Sequence, residues 1–380
     1  MQFTCEQDRL NRVLNMVNHA VARGAGAFPM ATNIRIASDQ DRIRLDATNL
    51  SIGITGWIEA TITEGGEVAV PAKLFSDLIG VLTPGKIEMQ VDNTTYDVQV
   101  KGPRGPVHVR GIDPEEFPPM PAPELSVKPT LLKSALLKEV IREVSIVVDD
   151  SRSEVFGNIL LQIEQQRITF AAADGYGRLA FRPLPLPAES ALTCDILVPA
   201  RSLTELASIL PTEGMVEIRL TSNNSQAIFS TPWMVLSSIL SSGSFPNYKA
   251  ALPREKQTVV TLKTADLREI VQVASLFARS DYDAGRIRIK SSMGVEPGTL
   301  QLASEAADVG GAAPTIPAAV EGEDQEDLIF NVANLARVLS VISAPELILE
   351  IGVTRAPVGV MRPAGAHTCV HSFSSMGPAR

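Results

Sequence analysis

Val68-Ala69-Val70-Pro71-Ala72-Lys73-Leu74-Phe75 returns 128 residues later as Ile196-Leu197-Val198-Pro199-Ala200-Arg201-Ser202-Leu203. Both stretches read as a short apolar strand entering a helix, with proline at the helix start, where its missing N–H costs no hydrogen bond. A third copy, Ile329-Phe330-Asn331-Val332-Ala333-Asn334-Leu335, keeps the apolar pattern and lacks the proline. An internal repeat with a period of about 130 residues decides the architecture before any single element is placed.

Upstream of each copy lies an amphipathic helix followed by alternating strands. The helices run from Arg9 through Ala22, Leu131 through Val148 and Ala265 through Ala278. The strands after them include Asn33-Ile34-Arg35-Ile36, Gly157 through Ile163 and Arg286-Ile287-Arg288-Ile289. Each unit is thus two similar halves of helix plus strands, an α+β chain of six half-domains. Pro-rich joins at Phe117-Pro118-Pro119-Met120-Pro121-Ala122-Pro123 and at Phe245-Pro246-Asn247-Tyr248 with Leu252-Pro253 set boundaries at 1–123, 124–253 and 254–380. Gly310 to Asp327, small-residue-rich and then acidic, reads as a mobile loop within the third unit.

The chain has 380 residues, 45% of them hydrophobic and 20% charged, which fits several packed domains and excludes disorder. Its net charge of −9 argues against wholesale attraction to nucleic acid or anionic membranes, so any basic surface must be local. Helices expected at 8–22, 71–82, 130–148, 199–211, 264–279 and 331–343 carry ten basic and seven acidic residues, a net +3, against −12 elsewhere. If these helices share a surface, it has the sign to meet phosphates. The N-terminus lacks a signal-peptide pattern and no apolar run is long enough to span a bilayer, so the expectation is a cytoplasmic protein without membrane contact. Cys5, Cys194 and Cys369 lack paired spacing and read as reduced thiols.

These residues resemble a known family, the bacterial sliding clamp or β subunit of the replicative DNA polymerase. The carriers are the threefold repeat, Val70-Pro71-Ala72, Ala173-Asp174-Gly175-Tyr176-Gly177-Arg178-Leu179-Ala180, Val198-Pro199-Ala200, Ser244-Phe245-Pro246-Asn247-Tyr248, Ser304-Glu305-Ala306 and Met361-Arg362-Pro363-Ala364-Gly365. The resemblance implies three tandem clamp domains and a head-to-tail homodimeric ring, with helices around a hole that threads double-stranded DNA without sequence preference. It implies no catalytic group and no cofactor. It also implies a pocket for short linear peptides of the replicative polymerase, the clamp loader and repair proteins. By position the pocket falls on Phe156, Ala173, Gly175, Tyr176, Arg178, Leu179, Pro246, Ala250, Ala251, Pro357 and Val370. The dimer contact falls on Leu276 and Phe277 facing Val107 and Val109, and the DNA-facing candidates are Arg23, Lys73, Lys138, Arg142, Arg152 and Arg201.

Two departures from the family stand out. Gly177 reads as an insertion between Tyr176 and Arg178, which alters the pocket rim. The family ends in a Met-Pro-Met/Val-Arg-Leu-like strand, whereas this chain ends Ser372-Phe373-Ser374-Ser375-Met376-Gly377-Pro378-Ala379-Arg380. That change motivates a second reading, a specialised or decoy ring with altered partner binding. A third, a metal-dependent hydrolase, rests only on His367, Cys369 and His371, which strand alternation puts on one face without a fourth ligand. His19 and His108 accompany no recognisable nucleophile motif, and neither a dinucleotide fingerprint nor a phosphate loop is present.

Overall fold

The computed structural model describes every residue except 25–27, 189, 191, 279–282, 293–295, 309, 355, 366–368 and 377–380. Its six α-helices among these residues are α1 (Gln7–Val17), α2 (Ala72–Val81), α3 (Ser134–Ser145), α4 (Ala200–Ile209), α5 (Thr264–Phe277) and α6 (Val332–Val341). Pro71 and Pro199 each end a strand and immediately precede a helix. The helix expected from residue 130 starts later, because Thr130–Lys133 is a strand paired with Met215–Ile218. The other repeats begin alike, with Gln2–Glu6 running into α1 and Lys256–Lys263 into α5. These short alternating strands bury every second side chain, and no glycine or proline separates them from the helix, so the helical period masks them in the sequence.

The chain forms two compact units, residues 1–135, 187–192 and 205–240 in the first and 136–186, 193–204 and 241–380 in the second. Each holds two antiparallel sheets. In the first unit a five-stranded sheet runs 61–64, 2–6, 86–91, 97–102, 105–110. Its eight-stranded companion runs 130–133, 215–220, 226–231, 234–239, 52–59, 42–48, 33–39, 67–71. That sheet joins strands of the first two repeats through Met234–Ile239 against Ile52–Glu59, with Met234 opposite Gly56 and Ser238 opposite Ile52.

The second unit repeats the device. Its nine-stranded sheet runs 194–199, 158–163, 167–173, 178–185, 370–374, 357–363, 346–353, 256–263, 319–322. The join between the second and third repeats is Arg178 opposite Phe373 through Phe181 opposite Val370. The remaining sheet contains 299–306, 284–290 and 325–331, with 310–312 and 315–317 along its outer edge. Val332, Leu335 and Leu339 of α6 and Phe330 of the preceding strand 325–331 share this unit's main core with Leu267, Ile270 and Val271 of α5.

The loop expected over 310–327 is therefore mostly strand. Gly310–Ala312 and Thr315–Pro317 oppose Thr299–Ala306 in one uninterrupted register, and Leu302 N–H donates to Pro314 O across the gap. Ala319–Gly322 then pairs with Thr258–Thr261. Ile316 and Ala318 are buried while the acidic side chains of 321–327 point to solvent, so composition misled where alternation held.

One buried charge holds the middle of the eight-stranded sheet. Asp46, fully buried, accepts from Arg35 Nε and Nη2 at 3.0 and 2.7 Å, Arg44 Nε at 3.1 Å and Thr55 Oγ1 at 2.7 Å. Removing one partner of such a group strands the rest, at a cost of about 3 kcal/mol. Asp46→Ala is expected to lower the stability of the chain by about that amount in urea titration, and a loss under 1 kcal/mol would show the network to be dispensable.

Candidate functional site

The tightest polar turn of the second unit lies between Arg167–Ala173 and Arg178–Pro185. Asp174, 2% exposed, accepts from the backbone N–H of Tyr176 at 2.7 Å and of Arg178 at 2.9 Å, while Arg178 Nε reaches its other oxygen at 2.6 Å. Gly175 and Gly177 both have positive φ, +71° and +112°. Added side chains there would strike the Phe156 ring and Ser374, respectively. The extra glycine thus lets the loop seat against Ser374, whose N–H donates to Gly177 O at 3.1 Å. Tyr176 stands 63% exposed at the tip. Arg152 donates to Gly175 O and lies 5.3 Å from the centre of the Tyr176 ring. This arginine, expected to face DNA, is engaged with the loop.

Behind the loop Leu160, Ala171, Leu179, Leu197 and Tyr248 form an apolar cluster edged by Val155, Ala173, Phe181, Phe245 and Leu252. Of the residues assigned to the pocket from sequence, Leu179 and Ala173 are in this cluster. Phe156, Gly175, Tyr176 and Arg178 build the rim. Pro246, Ala250 and Ala251 are exposed on the segment that carries Tyr248. Val370 lies opposite Phe181, three ladder positions from the rim pair Arg178–Phe373. Pro357 is one strand farther, its carbonyl held by Ser375 N–H at 2.8 Å. Val155, Leu160, Leu197 and Phe245 of this cluster, and Ser374 against the loop, were not singled out from the sequence. The repeat register would have found the first strand pair, since Leu160 opposes both Leu197 and Ala171.

The same positions exist in the first unit with different chemistry. Arg35 opposes Ala69 and Asp46, and Asp46 opposes Thr55, so Arg35, Asp46, Ala69, Gly53 and Thr55 stand where the second unit has Leu160, Ala171, Leu197, Leu179 and Phe181. Asn49 caps the corresponding turn through Ser51 N–H and Ile52 N–H, and Ile239 N–H donates to Ser51 O as Ser374 does to Gly177. The Arg35–Asp46 pair fills that copy, Phe117 lies over Arg35 at 5.1 Å, and Met120 presses on Gly53. Of these two copies, the one around Leu160 is lined with apolar side chains.

The basic candidates separate. Arg23 and Lys73 line one cavity of about 710 Å³ beside α1 and α2, where Asn18 Nδ2 donates to Ser76 Oγ at 2.8 Å. Arg142 on α3 and Arg201 on α4 are exposed, and Lys138 is half-buried. The helix charge is less available than the count implied: Arg9 pairs with Glu59, Arg12 with Asp8, and Arg268 donates to Leu339 O and Ile342 O. Arg279 lies outside the described residues. Leu276 is 66% exposed and Val107 37%, whereas Val109 is buried within its own unit and offers only backbone at the edge.

Cys369 and His371 are buried, Sγ to Nε2 3.4 Å, beside the Arg182–Glu143 ion pair of 2.6 Å. Burial and Glu143 push the Cys369 thiol well up. His367 lies outside the described residues, and among those described no group of His, Cys, Asp and Glu is placed to hold a metal. Burial holds His371 at about 4, so the folded chain keeps it neutral. The unfolded chain takes up that proton first, so the contribution is complete above about pH 6.5 and is lost as pH falls toward 4. His371→Leu is expected to flatten the stability profile over that window, read as the urea midpoint at successive pH values; an unchanged slope would place the acid sensitivity elsewhere.

A model described as the DNA polymerase III beta subunit, N-terminal domain, matches residues 1–121, and one for its central domain matches 131–247. A beta sliding clamp of Synechococcus elongatus is 27% identical, the alignment covering 96% of each chain, and that of Bacillus subtilis is 25% identical over 96% of this chain and 94% of its own. The crystal structure of the Bacillus subtilis DNA polymerase sliding clamp superposes with a TM-score of 0.91 at 23% identity, covering both chains completely. The β subunit of Pseudomonas aeruginosa superposes at 0.88 and 22%, covering 99% of this chain and all of that one.

Proposed function

The chain belongs to the DNA polymerase III β subunit family, the bacterial sliding clamps, and from that premise we propose how it works: two copies close head to tail around double-stranded DNA. The family's members are non-catalytic processivity subunits, so the task is mechanical. A closed ring leaves DNA only at an end, which frees its phosphate contacts to be weak and sliding.

One observation carries the closure. Twice within the chain the fourth strand of one repeat, 52–59 or 178–185, pairs antiparallel with the last strand of the next, 234–239 or 370–374. The same pattern leaves 105–110 as the last strand of the first repeat and 310–317 as the fourth-strand position of the last, each at a sheet edge. An unpaired edge is a liability unless something covers it. Two chains joined by 105–110 and 310–317 add two junctions of the same kind to the four within the chains, with exposed Leu276 and half-buried Phe277 of α5 beside Val107. The three repeats, 1–123, 124–253 and 254–380, then supply six similar domains to the ring. Leu276→Lys is expected to halve the solution mass measured by light scattering, and a variant that stays dimeric would move the interface elsewhere.

The helices give the inner wall, where Arg23, Lys73, Arg142 and Arg201 supply thinly spaced positive charge and Lys138 a half-buried one. Arg152, also exposed, holds the Tyr176 loop through Gly175 O. The apolar cluster behind that loop takes the hydrophobic anchor of a linear peptide from the replicative polymerase, the loader or a repair protein, with Leu179 and Ala173 as floor and Tyr176 as rim. These partners place the protein on the bacterial nucleoid in the cytoplasm. Among the described residues no helix is long and apolar enough to cross a membrane.

Loaded onto nicked circular DNA by its clamp loader, the protein is expected to stay bound through gel filtration and to be lost once the circle is linearised. Retention indifferent to linearisation would remove the topological mechanism. A decoy ring would pass this test and fail to raise the processivity of the polymerase.

A further inference from the structure

The chain has two tryptophans in 380 residues, and the fold brings them together where the first two repeats join. Trp57 N–H donates to Trp233 O at 3.2 Å, which sets the two on neighbouring segments at one end of the eight-stranded sheet. Gly56 faces α1, since a side chain there would meet Val13 and Met16, so strand alternation turns Trp57 to the opposite face. Its indole N–H donates to Asp39 Oδ2 at 2.8 Å, and the Arg42 guanidinium lies over its ring, 5.5 Å from the centre. Trp233 stands 56% exposed in the adjoining turn. Thr231 Oγ1 fixes that turn by accepting from Trp233 N–H at 3.4 Å and from Met234 N–H at 3.2 Å.

Charge at this end of the sheet is uneven. Arg35 and Arg44 are held by Asp46, and Arg9 by Glu59. Arg42 has no carboxylate within ion-pair distance among the described residues, and Trp57 backs one face of its guanidinium. The patch therefore offers an exposed indole beside a planar cation whose other face and edge are unclaimed. That combination accepts a flat aromatic ring carrying a negative charge nearby.

We propose that Trp233 and Arg42 form a stacking platform for single-stranded DNA, one base lying on the indole and the next on the guanidinium, whose edge meets the phosphate between them. Adjacent strands stand about 4.8 Å apart, within the reach of successive nucleotides in an unstacked strand. A duplex does not fit this role, because its bases are already stacked on both faces. Trp57 is a positioning residue, since it holds the guanidinium plane. Asp39 keeps the local charge low, so stacking supplies most of the binding and one phosphate contact the rest. The platform is on the face opposite α1, so the strand it takes is not the encircled duplex. Only the source of that strand rests on the clamp reading: a polymerase held by this protein works beside unpaired template.

Because both tryptophans belong to the patch, the intrinsic fluorescence of the intact protein reports on it alone. Oligothymidylate of about twelve nucleotides is expected to quench it saturably, with a log–log salt slope of about −0.7, as one phosphate contact requires. An abasic oligomer of the same length, a duplex and polyglutamate are expected to quench little. Trp233→Ala and Arg42→Lys, which keeps the charge and loses the plane, are each expected to weaken binding of labelled oligothymidylate about five-fold in anisotropy. Equal quenching by the abasic oligomer would reduce the patch to a phosphate contact, and equal quenching by polyglutamate would make it a dock for acidic protein segments. Either result, an absence of saturable quenching, or unchanged affinity in Trp233→Ala overturns the assignment. The assay uses no loader, polymerase or circular DNA, so its failure would leave the encircling mechanism untouched.

Discussion

The structure depends on backbone ladders that ignore the boundaries of its repeats. Each repeat leaves an unpaired strand on both flanks, and antiparallel pairing with the neighbouring repeat satisfies those donors and acceptors without any special side chain. This is why the eight-stranded sheet holds strands from the first two repeats and the nine-stranded sheet strands from the last two. It is also why the strands at 105–110 and 310–317 remain at sheet edges. The small and polar residues on these edges, Gly105, His108, Gly310 and Gly311 among them, are compatible with pairing and unhelpful to indiscriminate hydrophobic association.

Repetition of the scaffold also isolates what is specialised. At five matching positions one copy carries a buried ion pair with its neighbours and the other an apolar cluster. The Arg35–Asp46 copy is closed by its own residues and by Phe117 and Met120 from the join that follows the first repeat. The Leu160–Leu197 copy is covered by Phe245 and Tyr248 from the corresponding join, and there a cavity and an exposed aromatic rim persist. The same backbone therefore carries a buried ion pair in one copy and an apolar cluster beside a cavity in the other, and the difference lies in side-chain volume and charge.

Much of the architecture was legible in the sequence because Val70-Pro71-Ala72 and Val198-Pro199-Ala200 mark equivalent strand-to-helix junctions, and their spacing is the repeat. The opening strands were not, since Thr130-Leu131-Leu132-Lys133 runs into a helix with no breaker between. Gly310 to Asp327 was misread because composition was weighed above alternation: Ile316, Ala318 and Leu328 point inward at strand spacing. At the site, motif matching found the loop and missed the sheet floor. Leu160 and Leu197 look like ordinary strand residues until the register sets them opposite one another. Arg9 and Arg268 show the limit of charge counting, since their partners, Glu59 and the carbonyls of Leu339 and Ile342, lie fifty or more residues away in sequence.

The central claim is that the two free edges complete one another. Hydrogen–deuterium exchange of peptides covering 105–110 and 310–317 tests it, comparing the protein at concentrations that keep it dimeric with the Leu276→Lys variant. The account predicts that both stretches are protected together in the dimer and exchange rapidly together in the variant. Rapid exchange of either edge in a protein shown to be dimeric would contradict it.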